Sequence, residues 1–346
     1  MAKSDKGVLP VSVGVFGFEG CSAWVAAGLL ELFAVANVAL NNLPPPAKLA
    51  SRAARFDCHL IGKSRGRIRS AHGVSFEAQP PRGRYDAVIV PPIWCESREE
   101  LEQRARELES CIRQLRALAH RSRIMASACS GAVLLANAGL LSHRRATTCW
   151  WLASWFQQRY PDVDLAPDKL IVADGDRWTA AAGSAYLHLG VELIEELAGP
   201  KVAAATARLL LVERRRGSQS PFIVQDALPL RGLDSDVDCA VAYLQEHSGA
   251  RITIAQLCRR IAVNERTLSR KFKTALGASP LAYLQSRRIG DARRLLETTT
   301  SSLEDIVAQC GYEDVASFRK LFARHVGMTP REYRSRFGVG ERQVGA

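Results

Sequence analysis

The sequence predicts a two-part chain: an α/β unit built on an open parallel sheet, followed by an all-α unit with two helix-turn-helix motifs. Three observations predict it. Short apolar runs alternate with helical stretches up to about residue 215, helical periodicity alone follows, and the helical part contains an internal echo at an offset of 50 residues. At 346 residues, 47% of them hydrophobic and 24% charged, the chain is long enough for two cores.

In the first part, Val11-Ser-Val-Gly-Val-Phe16, Phe56-Asp-Cys-His-Leu-Ile61, Tyr85-Asp-Ala-Val-Ile-Val90 and Arg123-Ile-Met-Ala-Ser-Ala128 read as buried strands. Helical stretches near 22–40, 97–119 and 130–140 separate or follow them. The strand ending at Ala128 runs into Cys129-Ser130-Gly131-Ala132, a corner crowded with small residues that turns straight into a helix. An elbow of this kind exposes the side chain at its apex, and the helix N-terminus lowers a thiol pKa there. A small cysteine packed at a tight corner fits the same residues equally well.

The second part is the more informative. Gly277-Ala-Ser-Pro280-Leu-Ala-Tyr283 returns as Gly327-Met-Thr-Pro330-Arg-Glu-Tyr333, and upstream Leu268, Arg270 and Phe272 pair with Phe318, Lys320 and Phe322. In the first copy Thr253 and Gln256 form a capping box before the stripe Ile254, Leu257, Cys258, Ile261. Asn264 then caps a second helix that buries Leu268, Phe272 and Ala275 and ends at Gly277. Its outward face carries Arg266, Thr267, Ser269, Arg270, Lys271 and Lys273, residue types that reach base edges and phosphates in a major groove. In the second copy Ser302 and Asp305 form the box, Gly311 marks the turn, and the helix over 315–326 exposes Ser317, Arg319, Lys320 and Arg324. Ser279-Pro280 starts a long helix joining the copies.

Gly311-Tyr-Glu-Asp-Val-Ala-Ser-Phe-Arg-Lys-Leu-Phe-Ala-Arg-His-Val-Gly-Met-Thr-Pro-Arg-Glu-Tyr-Arg334 resembles the signature of AraC/XylS-family DNA-binding domains. The resemblance covers about 233–338 and implies recognition helices starting near Asn264 and Asp314. The cysteine elbow, Val90-Pro-Pro92, Thr147-Thr-Cys149-Trp150 and Gly28-Leu-Leu-Glu-Leu-Phe33 resemble the PfpI/ThiJ-like branch of the class I glutamine amidotransferase fold, which is flavodoxin-like. The two joined, with Arg214-Arg-Arg-Gly-Ser-Gln-Ser-Pro-Phe222 between them, resemble GlxA-like regulators.

What the resemblance implies is a sequence-specific transcriptional regulator, an activator, with three parts. Residues 8–212 form a sensing and dimerising domain, 213–233 a linker and 234–338 the DNA-binding domain. Its expected partners are double-stranded promoter DNA, RNA polymerase, a small-molecule effector and a second copy of itself. Cys129, Ser130, Gly131, Cys149 and Pro92 are the expected effector pocket, at the carboxyl edge of the sheet. An enzyme is not expected. Ser130 and Cys149 stand where catalytic relatives carry histidine, Val25 stands where they carry the acid, and Pro92 has no N–H to offer an oxyanion. A hydrolase or glyoxalase-like enzyme fused to a DNA-binding tail, and a redox sensor built on Cys129 and Cys149, are the alternatives.

Bulk properties agree. A net charge of +12 suits a polyanionic partner. Nine cysteines without a CxxC pair, and seven scattered histidines, indicate no disulfide framework, metal or cofactor. The N-terminus reads as lacking a signal peptide, and no apolar run is read as reaching the ~20 residues of a membrane helix. A cytoplasmic protein with no membrane partner is expected. Trp150, Trp151 and Trp155 are expected in the core, and Arg52, Arg55, Arg65, Arg67 and Arg69 in a solvated loop.

Overall fold

The computed structural model describes residues 10–44, 51, 53–214, 217–222, 235–250, 252–276 and 278–338. The chain divides into two compact units, Met1–Gln219 and Ser220–Ala346.

Unit 1 starts with β1 (Val11–Phe16), α1 (Ala23–Asn42), β2 (Phe56–Ile61) and the ribbon β3 (Gly66–Arg69) and β4 (Ser75–Ala78). It continues through β5 (Tyr85–Val90), α2 (Arg98–Glu107), α3 (Glu109–Ala119), β6 (Ser122–Ala128) and α4 (Gly131–Asn137). Then come β7 (Arg145–Ala146), α5 (Ala153–Arg159), β8 (Asp164–Leu165), β9 (Ile171–Asp174), β10 (Arg177–Ala180), α6 (Ala185–Ala198) and α7 (Pro200–Leu209). The main sheet runs β2-β1-β5-β6-β10-β9. The apolar runs of β1, β5 and β6 are buried in the middle of a doubly covered sheet, as their composition demands.

The sheet is parallel except at one edge, where β9 pairs antiparallel with β10 (Arg177 opposite Asp174). The Asp174-Gly175-Asp176 turn closes this hairpin, with Gly175 at φ +59°.

The helix α1 corrects one expectation. Its 20 residues, with a mean hydropathy of 1.8 over the most apolar window, are long and apolar enough to cross a membrane. Here Val25, Leu29, Leu32, Phe33 and Leu40 are buried in the unit 1 core, which explains the composition without a bilayer. The tryptophans correct another: Trp151 is exposed, and Trp155 is half-buried and donates from its indole to Glu102 at 2.7 Å. A 3₁₀ turn over Trp150–Leu152 breaks the helical spacing, and Phe156 takes the core position. Arg67 and Arg69 lie on the strand β3 and not in a loop; Arg52 lies outside the described residues.

Residues 217–219, expected in the linker, are knitted into unit 1. Gln219 is buried and its amide donates to the carbonyls of Thr148 (2.9 Å) and Pro167 (2.7 Å). Ser220–Phe222 belong to unit 2, where Arg293 donates to the Pro221 carbonyl and the Phe222 ring meets Phe337 at 5.3 Å. Residues 223–233 of that linker lie outside the described residues.

Unit 2 comprises α8 (Ser235–Glu246), α9 (Ile254–Ile261), α10 (Glu265–Leu276), α11 (Pro280–Thr298), α12 (Leu303–Gln309), α13 (Val315–Val326) and α14 (Pro330–Phe337). It has two small cores, one under each helix-turn-helix. Leu257, Leu268 and Phe272 pack with Val237, Leu244 and Leu284, while Ile306, Phe318 and Phe322 pack with Ile289, Leu296 and Tyr333. The sequence echo is an echo of packing, since Phe272 meets Tyr283 edge-on at 6.0 Å and Phe322 meets Tyr333 at 5.6 Å. Thr253 and Gln256 make the full capping box. Ser302 and Asp305 make half of one: the serine accepts from the Asp305 N–H, but the aspartate, one methylene shorter than glutamate, bonds the hydroxyl instead of the cap N–H. Gly277 lies outside the described residues.

The helix α11 contributes Leu284 to one core and Ile289, Ala292 and Leu296 to the other. Between them sits Arg288, buried, donating to the carbonyls of Ser248 (2.9 Å) and Ala250 (2.7 Å) and lying over the Tyr312 ring at 5.1 Å. Gly311, at φ +76°, lies against the same carbonyl chain: a Cβ there would come within 3.0 Å of the Gly249 oxygen. One charged side chain therefore clamps the turn of the second motif to the loop preceding the first. Replacing Arg288 by alanine strands two carbonyls and removes the cation over the ring. We expect a loss of about 2–4 kcal/mol of unit 2 stability in denaturant titration, with wild-type unfolding of unit 1.

Candidate functional site

The helix α10, expected as the first recognition helix, follows the left-handed C-cap Ala262 (φ 56°) and the cap Asn264, whose carboxamide oxygen accepts from the Thr267 N–H at 2.8 Å. Burying Leu268 and Phe272 turns Arg266, Ser269, Arg270 and Lys273 to the opposite side, at i, i+3, i+4 and i+7. Arg266, Arg270 and Lys273 are exposed, whereas Thr267 and Ser269 are half-buried. Lys271 departs from expectation. Its ammonium pairs with Asp236 on α8, so this lysine fastens α10 to its own core and does not face outward.

The helix α13, expected as the second recognition helix, is capped by Asp314, whose carboxylate accepts from the N–H groups of Ala316 (3.2 Å) and Ser317 (2.9 Å). The Ser317 hydroxyl and these amides hold Asp314 below the usual carboxylate range. Phe318, Phe322 and Val326 are buried, and Ser317, Lys320 and Arg324 share the free face. These three line a shallow groove of about 410 Å³ together with Gln285 of α11 and Tyr312. Arg319 lies off that line and approaches Glu304 of α12 at 3.9 Å. Gln285 and Tyr312 were not singled out in the sequence; only the position of Tyr312 just before the cap could have suggested it.

In unit 1 the elbow forms where β6 meets α4. Cys129 takes φ 53°, a left-handed value rare for a residue with a Cβ, and its N–H bonds the carbonyls of Ala180 (2.9 Å) and Ala181 (3.1 Å). Gly131 is demanded by the next step, because a Cβ there would meet the Val90 and Pro91 oxygens at 2.6 and 2.8 Å, both main chain. The Ser130 hydroxyl donates to the Ile93 carbonyl at 2.8 Å, and the Thr148 hydroxyl to the Cys129 carbonyl at 3.0 Å.

Cys129, Ser130, Gly131, Cys149 and Pro92 are thus gathered at one corner and all are buried. The cavities of 450 to 540 Å³ in unit 1 are lined by other residues. A hydrogen bond from the Cys149 thiol, with others from the backbone N–H groups of Ser130 and Gly183, holds the Cys129 thiol below its ordinary value, and burial pushes Cys149 well above it. Cys149 is therefore a neutral donor at physiological pH and supplies no base. Ser130 spends its hydroxyl on a carbonyl, and Val25 is a buried apolar side chain. A third thiol, Cys95, lies within electrostatic range of Cys129 and Cys149 and is pushed up to about 11, by burial first and by the Cys129 charge second. Nothing in the spacing of Cys95 to Cys129 announces that proximity.

The two units define a class: a doubly wound α/β domain and a paired helix-turn-helix domain in one chain. Residues 257–336 match a helix-turn-helix domain family, and residues 38–196 match the DJ-1/PfpI family. The HTH-type transcriptional regulator ArgR of Pseudomonas aeruginosa is 30% identical over 226 residues, 64% of this chain and 67% of that protein. The HTH-type transcriptional regulator CdhR of the same organism is 30% identical over 206 residues, 60% of this chain. The chain spans 61% of the length of that relative. A crystal structure of an AraC family transcriptional regulator from Pseudomonas putida is 19% identical with a TM-score of 0.43, covering 58% of this chain and all of that one. The chain belongs to the AraC-type family of HTH regulators that carry a DJ-1/PfpI domain.

The tight corner gives a direct expectation. Gly131→Ala forces main-chain oxygens apart and should cost about 1–3 kcal/mol, read as a lowered unfolding midpoint of unit 1 with unit 2 unchanged. An unchanged midpoint would show that the elbow is not closely packed.

Proposed function

We propose that this protein is a sequence-specific transcriptional activator, controlled by a small molecule held at the carboxyl edge of the unit 1 sheet. It binds double-stranded promoter DNA as a cytoplasmic homodimer and acts on RNA polymerase. The observation that carries the proposal is the pair of basic helix faces: exposed Arg266, Arg270 and Lys273 with half-buried Ser269 on α10, and exposed Ser317, Lys320 and Arg324 on α13, with Thr267 and Arg319 at their margins. Both faces belong to capped, core-anchored helices in motifs clamped together by Arg288. That is the geometry that enters adjacent major-groove segments. Arginine is suited to bidentate contact with guanine, and lysine to phosphate. The relatives ArgR and CdhR are HTH-type transcriptional regulators.

The neutral Cys149, the committed hydroxyl of Ser130 and the apolar Val25 support sensing over turnover. The elbow residues Cys129, Ser130, Gly131, Cys149 and Pro92, expected as the effector pocket, are buried together and make the closed corner of the sheet's carboxyl edge, with the effector held at its open part. Cys129→Ala should keep effector-dependent promoter control; abolition of a detectable hydrolysis by the same change would favour an enzyme.

A target site is first selected from random duplexes with the full-length protein, and affinity is then followed by fluorescence anisotropy over a range of salt. Arg270→Ala and Arg319→Ala should each weaken specific binding by about 1–3 kcal/mol where the side chain reads a base. Lys273→Ala should lower the salt slope by about one unit where it meets a phosphate, whereas Lys271→Ala should lower stability and leave the slope alone. Undiminished binding in both arginine variants would refute the assigned recognition faces. A reporter driven from the selected site should lose expression on deletion of the regulator; a gain would make it a repressor.

A further inference from the structure

The carboxyl edge of the sheet is closed at the elbow but open beside β1. A cavity of about 460 Å³ begins where β1 ends, at Gly17 and Phe18. It runs past Lys63 and Ser64 after β2 and the start of the ribbon strand β3, and is walled by α2 and the start of α3. From β1 the chain passes outward to β2 and later returns across β1 to β5. The connections therefore diverge between β1 and β5, and such a divergence leaves a crevice at the carboxyl ends of the strands where ligands bind. The volume suits a small metabolite.

The floor is apolar, with Phe18, Ile68, Leu108 and Cys111 all buried. Burial also pushes the Cys111 thiol up, so it is uncharged. The rim is cationic: Lys63, Arg65, Arg67 and Arg104 outnumber Glu19 and Glu107. Arg104 is held in place by Glu100, through bonds of 2.8 Å from Nε and 2.7 Å from Nη2, and Glu100 is itself fixed by the Glu96 N–H at 2.8 Å. Arg67 makes only a marginal, exposed contact of 3.9 Å with Glu77. The arginines on β3 are thus placed beside a cavity by the ribbon that carries them.

We infer that this crevice binds a small anionic metabolite, a molecule bearing carboxylate or phosphate groups on a compact apolar body. The anion meets Lys63, Arg65 and the prearranged Arg104, and the body rests on the Phe18 and Ile68 floor. The inference rests on the reading of unit 1 as an effector domain and gives that effector a charge and a seat away from the buried thiols.

The test uses the full-length protein, with citrate and inorganic phosphate as probes in calorimetric titrations at constant ionic strength and glycerol as an uncharged control. At least one anion should bind with one-to-one stoichiometry and glycerol should not. The charge reversals Lys63→Glu and Arg65→Glu, both at exposed positions, should together weaken binding at least tenfold, while Lys63→Arg keeps it. Circular dichroism and thermal melting confirm that the double variant folds. No binding by either anion, or equal binding to the double variant, overturns the crevice. Operator affinity with and without the anion is measured in parallel. Binding that leaves operator affinity unchanged keeps the site but overturns its effector role. A change in operator affinity that survives the double reversal overturns the crevice and leaves effector control standing.

Discussion

The guanidinium of Arg288 is buried between two helix-turn-helix motifs, bonded to the carbonyls of Ser248 and Ala250 and laid over Tyr312. A buried charge is tolerated only where its donors are matched, and here the matching groups come from loops distant in sequence. The loop around Gly249 and the turn at Gly311 are each compelled to present carbonyls to, or make room for, this side chain. Neither small core could do this alone. Each buries one handful of residues around the second helix of its own motif, and α11 passes through both without specifying how the helices are turned relative to each other. A directional, charge-assisted bond adds that specification where apolar contact, being non-directional, does not.

Unit 1 meets a different constraint. Its parallel strands must be covered on both faces, so polar chemistry is confined to the strand ends. At one end the main chain comes too close for anything but Gly131, and Cys129 is driven into a left-handed turn with its thiol turned inward. Beside β1 the start of the ribbon strand β3 and the helices α2 and α3 line a hollow. The same edge therefore contains both a sealed corner and an open one. The sealed corner keeps the backbone form of a nucleophile elbow while the side chains around it provide hydrogen bonds and no base.

What could be read in the sequence follows from how local each cause is. The four strands β1, β2, β5 and β6, the cap at Asn264 and the Thr253–Gln256 box depend on neighbours within a few residues, and they lie where the pattern places them, whereas the ribbon β3–β4 does not show in it. Lys271 was misjudged because its partner, Asp236, is 35 residues away and its helical position alone points neither in nor out. Ser302 and Asp305 satisfy the spacing of a capping box, but the reach of the aspartate is a matter of a single methylene. The composition of α1 cannot distinguish a core helix from a membrane helix, because both are apolar all round. The proximity of Cys95 to the other two thiols, and the hollow beside β1, arise from the order in which strands are laid side by side. Both were invisible until that order was known.

The two helix-turn-helix motifs are copies, yet not identical ones. The caps Thr253 and Ser302 stand 49 residues apart and the caps Asn264 and Asp314 stand 50 apart, so the second motif holds one extra residue between its two caps, and its longer turn contains Gly311 at φ +76°. Tandem duplication sets the modules head to tail, and the longer turn makes them unequal. With both helices reading bases, as proposed, a binding site for such a pair would have a front and a back. Inverting it would offer each helix the bases meant for the other, and the protein would thereby distinguish upstream from downstream on a molecule whose backbone is the same in both directions.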